Sequence, residues 1–181
     1  KMTFIFKEIA PHSPFLSNIK ALYESAFPPD ERRDFAQVEQ LLAQNPHFKI
    51  RVIFEMNSCA FAAFLSYWNF GSFSYIEHLA VMPVVRGNGL GHKIMNDFFA
   101  SVGNRVLLEV EPPIDTITRK RVAFYESLGM TLWDDFHYIQ PPYAPHLNAL
   151  ELRLMTHGTF TRDDLTAAVA TLHREVYGVT Q

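Results

Sequence analysis

The sequence predicts an α+β fold: a mixed, mostly antiparallel sheet of about seven strands with one parallel pair, flanked by helices and followed by a C-terminal helix. Three strand-like runs at 48–56, 59–70 and 73–81 are separated by short polar turns, a spacing typical of an antiparallel meander. The runs at 73–81 and 105–111 are joined by a helical segment, and we expect them to form the parallel pair.

The segment before the meander holds one strand and two helices. A short strand at 3–9 opens the chain, and the segment 17–27 carries apolar residues at helical spacing until a Pro-Pro pair stops it. A second helix follows Asp34, a residue typical of helix N-caps, and an Asn-Pro pair ends it. We expect both helices to pack their apolar stripes on the sheet.

The segment after the meander alternates helices and strands before a last helix that Thr161 caps. In chain order its predicted elements are a helix at 90–102, a strand at 105–111, a helix at 116–128 closed by Gly129, and strands at 131–140 and 149–156. We therefore expect one domain over 1–156 and a C-terminal helical extension over 157–181, packed on that domain or on a second copy.

Composition excludes some partner classes. A net charge of −3 gives no basic stripe for nucleic acid, and no apolar run approaches the ~20 residues of a membrane span. The single cysteine, Cys59, can form no internal disulfide, and no cluster with metal-ligand spacing is present, so we expect no metal. The first residues are too briefly apolar for a signal peptide. These features predict a soluble cytoplasmic protein, either a monomer or a homodimer.

The stretch EHLAVMPVVRGNGLGHKI, residues 77–94, predicts an anion site. A strand that leads through a glycine-rich turn into a helix N-terminus presents converging N–H groups to a phosphate. His92 stands where the P-loop and the dinucleotide-binding fingerprint would each need glycine, so both motifs fail. The pattern Arg-x-x-Gly-x-Gly fits, with Arg86, Gly89 and Gly91.

Two motifs resemble those of the GNAT superfamily, the GCN5-related N-acetyltransferases. LAVMPVVRGNGLG, ending at Gly91, resembles the coenzyme-binding motif of that family, and AFYESLGM (123–130) resembles its tyrosine-bearing fourth helix. The order of elements over about 3–156 is similar as well. The resemblance implies the GNAT fold, in which the parallel pair splays apart.

The resemblance also implies acetyl-CoA as cosubstrate. Its pyrophosphate would lie on the N–H groups of the glycine turn, and its pantetheine arm would follow the strand backbone near a bulge that aims an N–H at the thioester carbonyl. The expected coenzyme-binding residues are Leu79, Ala80, Val81, Arg86, Gly87, Asn88, Gly89, Leu90, Gly91 and His92.

The candidate catalytic residues are Tyr125, Glu109 and Glu77. Acetyl transfer to an amine needs the ammonium, with a pKa of ~10, to lose a proton, and the departing thiolate, with a pKa of ~8.5, is helped by a proton donor. Tyr125 matches the family tyrosine that faces the coenzyme sulfur. Glu109 or Glu77 could act through a water or hold the ammonium. Strand alternation places His78 on the face opposite Glu77.

The predicted function is transfer of an acetyl group from acetyl-CoA, by direct attack of a primary amine, most simply that of a small molecule. An acceptor pocket is expected between the first two helices, the meander and the late loop QPPYAPH, and its candidate residues are Phe27, Glu31, Trp68 and Tyr143. Two alternatives stay open: an enzyme that acetylates a protein N-terminus or lysine, and a non-catalytic module that binds acyl-CoA.

Overall fold

A computed structural model describes residues 1–180 of the 181-residue chain. Its strands and α-helices, in chain order, are β1 (Phe4–Glu8), α1 (Leu16–Ala26), α2 (Phe35–Gln44), β2 (Phe48–Glu55), β3 (Phe61–Asn69), β4 (Phe73–Val81), α3 (Leu90–Val102), β5 (Arg105–Val110), α4 (Thr116–Ser127), β6 (Thr131–Gln140), β7 (Leu150–His157) and α5 (Arg162–Thr171). Two 3₁₀ turns at Pro29–Glu31 and Pro83–Val85 were not predicted, nor was a π-helical turn at Leu172–Val176.

The strand order in the sheet is β1-β2-β3-β4-β5-β7-β6. Neighbours within β1–β4 and within β5, β7 and β6 are antiparallel. This confirms the predicted mostly antiparallel, seven-stranded sheet with β4 and β5 as its parallel pair.

By their internal contacts the residues form two compact units. The first unit holds 1–28 and 32–104, and the second holds 29–31 and the chain from Arg105 onward. In the first unit α1 and α2 bury apolar side chains on the meander strands, and α3 packs on β4. In the second unit α4 packs on β5 and β6, and α5 buries Leu165 and Ala168. The predicted division at residue 156 stays a prediction.

The hairpin between β2 and β3 differs from the predicted two-residue turn. Five residues, 56–60, connect the strands, and Cys59 is exposed with a positive φ of 58°. The Glu55 carboxylate accepts hydrogen bonds from the backbone N–H groups of Asn57 at 3.0 Å and Ser58 at 2.7 Å. This side-chain cap competes with continued strand pairing and delays β3 until Phe61.

A β-bulge interrupts β4 at Glu77. Ser66 of β3 pairs with His78 while the next residue, Tyr67, pairs with Ile76, so Glu77 is the inserted residue. The prediction that a bulge lies around Leu79–Val81 is therefore wrong, because those residues pair regularly with β3. Because one residue is inserted, side chains on the two sides of Glu77 no longer alternate as they would in a regular strand.

Candidate active site

The glycine turn ends in an open helix N-terminus. Gly87 and Gly89 have positive φ values of 82° and 72°, and a Cβ built on either would meet no other atom within 4 Å. Gly89 is the N-cap of α3, and the N–H of Lys93 donates to its carbonyl at 3.2 Å. The N–H groups of the first turn thus precede the helical ladder and point out of the helix, where its dipole is positive.

Side chains of the turn fix its backbone. The Arg86 Nε–H donates to the Val81 carbonyl at 2.9 Å, and the Asn88 amide donates to the Val85 carbonyl at 3.2 Å. Residues 86–89 are exposed, whereas Leu90 is buried and anchors the start of α3. The turn is therefore both ordered by its own hydrogen bonds and open to solvent.

Glu77 lies in a polar cluster of the first unit. Its side chain is 1% exposed, and its carboxylate accepts from Arg33 Nη2 at 3.0 Å and from Trp68 Nε1 at 2.8 Å. The Tyr23 hydroxyl accepts from the Arg33 backbone N–H at 2.6 Å. Burial, assisted by the negative charge of Glu77, raises the pKa of Tyr23 far above its ordinary value. These bonds fasten the segment after α1 to β3 and β4.

The bulge brings His78 to the same side as Glu77. Both residues line one small cavity that Tyr23 and Arg33 also line. The His78 ring lies edge-on to Tyr23 and Phe27, with centroid distances of 4.9 and 4.6 Å. The prediction that these two side chains face opposite sides is wrong, because the inserted residue breaks the alternation.

Two of the four expected acceptor residues lie in this unit. Phe27 caps the C-terminus of α1 and is partly exposed. Trp68 is fully buried, and its indole contacts Phe48 and Phe70 as well as Glu77. Their contact with an acceptor stays a prediction.

Glu109 lies among tyrosines in the second unit. The hydroxyl of Tyr138 donates to its Oε2, and the hydroxyl of Tyr177 is 2.9 Å from Oε1 and 3.0 Å from Oε2. The Tyr177 ring contacts that of Tyr143, with centroids 5.3 Å apart. A predicted catalytic residue and a predicted acceptor residue therefore belong to one cluster.

Glu31 lies in a second charged group of this unit. Burial raises the pKa of its carboxyl, the negative charge of Glu111 adds to that effect, and Arg121 opposes it. Arg121 donates to Glu111 at 2.8 Å. The neighbouring Asp30 carboxylate accepts from the backbone N–H and side-chain amide of Asn148 at 2.9 and 3.0 Å. The segment 29–31, which holds the expected acceptor residue Glu31, is thus bonded to the connection between β6 and β7, two residues beyond the end of the late loop.

Tyr125 stands on the last turn of α4. Its side chain is partly buried, and its ring lies edge-on to Phe124 with centroids 5.1 Å apart. Burial raises the pKa of Tyr125 to about 12, against a smaller opposing effect of Arg121. The phenol is therefore protonated throughout the neutral range.

In residues 1–180 we find no helix long and apolar enough to cross a membrane. The same residues contain no group of three or more His, Cys, Asp or Glu side chains placed to hold a metal ion.

A comparison with protein families decides the affiliation of the chain. The model of the acetyltransferase (GNAT) family matches residues 16–130, which is more than half of the 181 residues. The chain belongs to the GNAT family.

Similar proteins agree with this assignment. "Putative acetyltransferase YjbC" of Bacillus subtilis (strain 168) is 25% identical over 154 residues, which cover 83% of this chain and 77% of that protein. The solved structure of a "putative acetyltransferase from GNAT family" from Bacteroides thetaiotaomicron has a TM-score of 0.89 and 29% identity, and covers 97% of this chain and 99% of its own.

A solved aminoglycoside 6′-N-acetyltransferase complexed with coenzyme A shares the fold. Its TM-score is 0.57 at 17% identity, over 84% of this chain and 96% of its own. Together the family, the names of the relatives and the solved structures identify this GNAT chain as an N-acetyltransferase.

The sequence did not predict four of the side chains that surround Glu77 and Glu109: Arg33, Tyr23, Tyr138 and Tyr177. Arg33 belongs to a run of charged residues that reads as a solvated surface. Tyr138 follows an irregular stretch of β6, where the register with β7 shifts between Trp133 and Tyr138. Of these four, Tyr138 alone could have been proposed from the sequence as a site residue, because its strand leads directly into the late loop that was expected at the acceptor pocket.

Replacing Arg33 with alanine is expected to lower the free energy of unfolding by about 3–5 kcal/mol, because the substitution leaves the buried Glu77 carboxylate without its guanidinium. Urea unfolding followed by circular dichroism measures this loss. Lys49→Ala is the matched control: its pair with Glu8 is exposed, at 39% and 49%, and should contribute less than ~1 kcal/mol. Equal losses in the two variants would contradict a structural role for the Arg33–Glu77 pair.

Proposed function

We propose that this chain transfers the acetyl group of acetyl-CoA to the primary amine of a small molecule. The observation that carries the proposal is the turn at 86–92, which opens onto the N-terminus of the 13-residue helix α3. GNAT enzymes use acetyl-CoA, and the residues present fit its pyrophosphate. Two glycines leave space where side chains would stand, and the helix N-terminus supplies N–H donors and positive potential.

In this proposal the glycine turn binds the coenzyme and β4 positions its arm. Arg86, Gly87, Asn88, Gly89, Leu90, Gly91 and His92 bind the phosphates, largely through backbone N–H groups, and the backbone of Leu79, Ala80 and Val81 binds the pantetheine arm. Acetyl-CoA supplies the activated acetyl thioester. The protein's own residues bind it, orient the amine and provide a proton donor.

Tyr125 serves as the donor to the departing sulfur. A phenol with a pKa of about 12 is protonated at neutral pH. Full transfer of its proton to a thiolate with a pKa of ~8.5 would be uphill, so Tyr125 stabilises the developing charge chiefly as a hydrogen-bond donor.

Glu109 and Glu77 serve the amine. Glu109 presents a carboxylate whose oxygens are oriented by Tyr138 and Tyr177. It binds the ammonium form of the acceptor and accepts, through a water, the proton that the amine loses before it attacks the thioester carbon. The Glu77 carboxylate is bonded to Arg33 and Trp68. In this proposal its contribution is to the charge and shape of the small cavity that it lines with His78. Phe27, Glu31, Trp68 and Tyr143 shape the acceptor site.

The bonds from Asp30 to Asn148 favour a small acceptor over a protein chain. They tie the connection between β6 and β7 to residues 29–31, and such a tie restricts the opening that a polypeptide substrate would need.

Thiol release from acetyl-CoA over a panel of amines tests the proposal. Polyamines, amino acids, aminoglycosides, aryl-alkyl amines and short peptides are the acceptors, and a coenzyme-induced rise in melting temperature is the control for binding. Turnover on one small amine class is expected. Turnover on peptides alone would favour a protein acetyltransferase, and a melting shift without any turnover would favour an acyl-CoA-binding module.

A further inference from the structure

The π-helical turn after α5 aligns Tyr177 with the buried side of that helix. The N–H of Tyr177 donates to the carbonyl of Leu172 at 3.1 Å, a bond across five residues instead of four. Leu165 and Leu172 are fully buried and define the stripe that faces the strands. In a regular α-helix Tyr177 would lie about 120° from Leu165. The wider turn sets it one turn beyond Leu172, on the same side.

The strand register places Glu109 and Tyr138 on one face of the sheet in the second unit. Glu109 of β5 pairs with Leu154 of β7, and Tyr138 of β6 pairs with Leu152. Leu152 and Leu154 are two residues apart, so all four side chains point to the same face. Tyr138 is 1% exposed, so its ring has little room to move. Its hydroxyl therefore stays on the Glu109 carboxylate, which it reaches from β6.

Tyr177 approaches the same carboxylate from the helix side. Its hydroxyl contacts both oxygens within 3.0 Å, while the Tyr138 hydroxyl donates to one of them. A phenol O–H carries one proton, so two phenols together give the carboxylate two donated hydrogen bonds. Donors of this kind stabilise the ionised carboxylate and restrict its rotation.

Three other titratable side chains lie on the elements around the Glu109 carboxylate, and each has a contact of its own. His173 packs on Tyr138 with centroids 5.9 Å apart and is 3.2 Å from the Ile139 carbonyl. Glu111, two residues along the chain, is paired with Arg121. The third tyrosine, Tyr143, lies against the Tyr177 ring. The phenols of Tyr138 and Tyr177 both contact the Glu109 oxygens directly.

We propose that Tyr177, carried by the C-terminal segment, is a positioning residue for acetyl transfer: with Tyr138 it holds the Glu109 carboxylate ionised and oriented for the acceptor ammonium. The inference rests on the proposed function, in which Glu109 binds that ammonium. It makes the segment after β7 part of the acceptor site, beyond any role in packing.

Tyr177→Phe tests the inference because it removes one hydroxyl and keeps the ring against Tyr143. Carbon-13 NMR of protein labelled at the glutamate carboxyl carbons, with Glu109 assigned through Glu109→Gln, follows the titration of this group directly. Loss of one charge-assisted hydrogen bond should move its titration midpoint upward by roughly one pH unit. Tyr138→Phe should move it in the same direction.

Kinetics supply the second readout. The ratio of wild-type to Tyr177→Phe kcat/KM for the amine should be larger at pH 5.5 than at pH 8, while KM for acetyl-CoA stays unchanged. Arg174→Gln is the control on the same turn, since its exposed guanidinium pairs with Glu175. Melting temperatures of all variants report their folding.

Each outcome decides the inference. An upward NMR shift together with the pH-dependent loss supports it. An unchanged titration in a folded Tyr177→Phe variant overturns it, as does an NMR shift without any change in the pH profile. If the wild type acetylates no amine, the proposed function fails by itself, and the NMR titration still decides whether Tyr177 controls Glu109.

Discussion

Gly89→Asp is expected to weaken acetyl-CoA binding by about a hundred- to a thousandfold. The residue is the N-cap of α3, and the aspartate carboxylate would stand where the proposed pyrophosphate lies. Two like charges ~4 Å apart near a protein surface repel by up to ~4 kcal/mol, which corresponds to about a thousandfold in Kd. Titration calorimetry with acetyl-CoA measures the change.

The chain offers a matched control in Gly71→Asp. Gly71 has a φ of 86°, Gly89 has one of 72°, and a Cβ on either meets nothing within 4 Å. Both variants therefore carry the same left-handed strain, which aspartate tolerates better than most residues, and both should fold. Gly71 lies in the turn between β3 and β4, so its substitution should leave acetyl-CoA affinity intact. Normal binding by Gly89→Asp would refute the phosphate role of the turn.

Local patterns explain why the order of elements was predictable. Helical stripes and proline or glycine stops fix where α1, α2 and α3 begin and end, and the bounds of α3 agree with the expected 90–102. The glycine turn was predictable because its backbone needs glycine at positive φ, as at Gly87 and Gly89, and this need is a property of single residues.

Features set by distant contacts were not predictable. The bulge at Glu77 accompanies bonds to Arg33, 44 residues earlier, and Trp68, nine residues earlier. The bond between Asp30 and Asn148 spans 118 residues. The π turn ends at Tyr177, whose hydroxyl reaches Glu109, 68 residues away. Hydrophobic periodicity records which side of a helix is buried, but it does not record which polar groups meet there.

The same distinction explains the site predictions. Glu109 could be named as a candidate because it matches a strand carboxylate that some members of the family use, and Glu77 because it lies on the preceding strand of the parallel pair. Their partners differ in kind: Glu77 is bound by a guanidinium and an indole, and Glu109 by two phenols. The ion pair with Arg33 anchors the Glu77 carboxylate within the first unit, whereas the two phenols orient the Glu109 carboxylate within the second.

Tyr125→Phe is expected to lower kcat by about a hundred- to a thousandfold with little change in KM for acetyl-CoA, since the variant loses the hydrogen-bond donor proposed for the departing sulfur. The loss should be uniform between pH 6 and pH 9.5. The phenol, with a pKa of about 12, is protonated over that whole range, so its removal changes the height of the kcat profile and not its shape. Steady-state thiol release across this range measures both quantities.

Tyr67→Phe controls for the loss of a hydroxyl elsewhere. Tyr67 lies on β3, where Arg51 stands over its ring at 5.3 Å, and burial raises the pKa of its phenol as well. Its variant should retain kcat. A difference between wild type and Tyr125→Phe that shrinks toward high pH would mean that the wild-type phenol ionises within this range, and the elevated pKa would then not describe the working enzyme. Full turnover by Tyr125→Phe at every pH would remove the residue from the reaction, and the departing thiolate would have to be stabilised by another donor of the site.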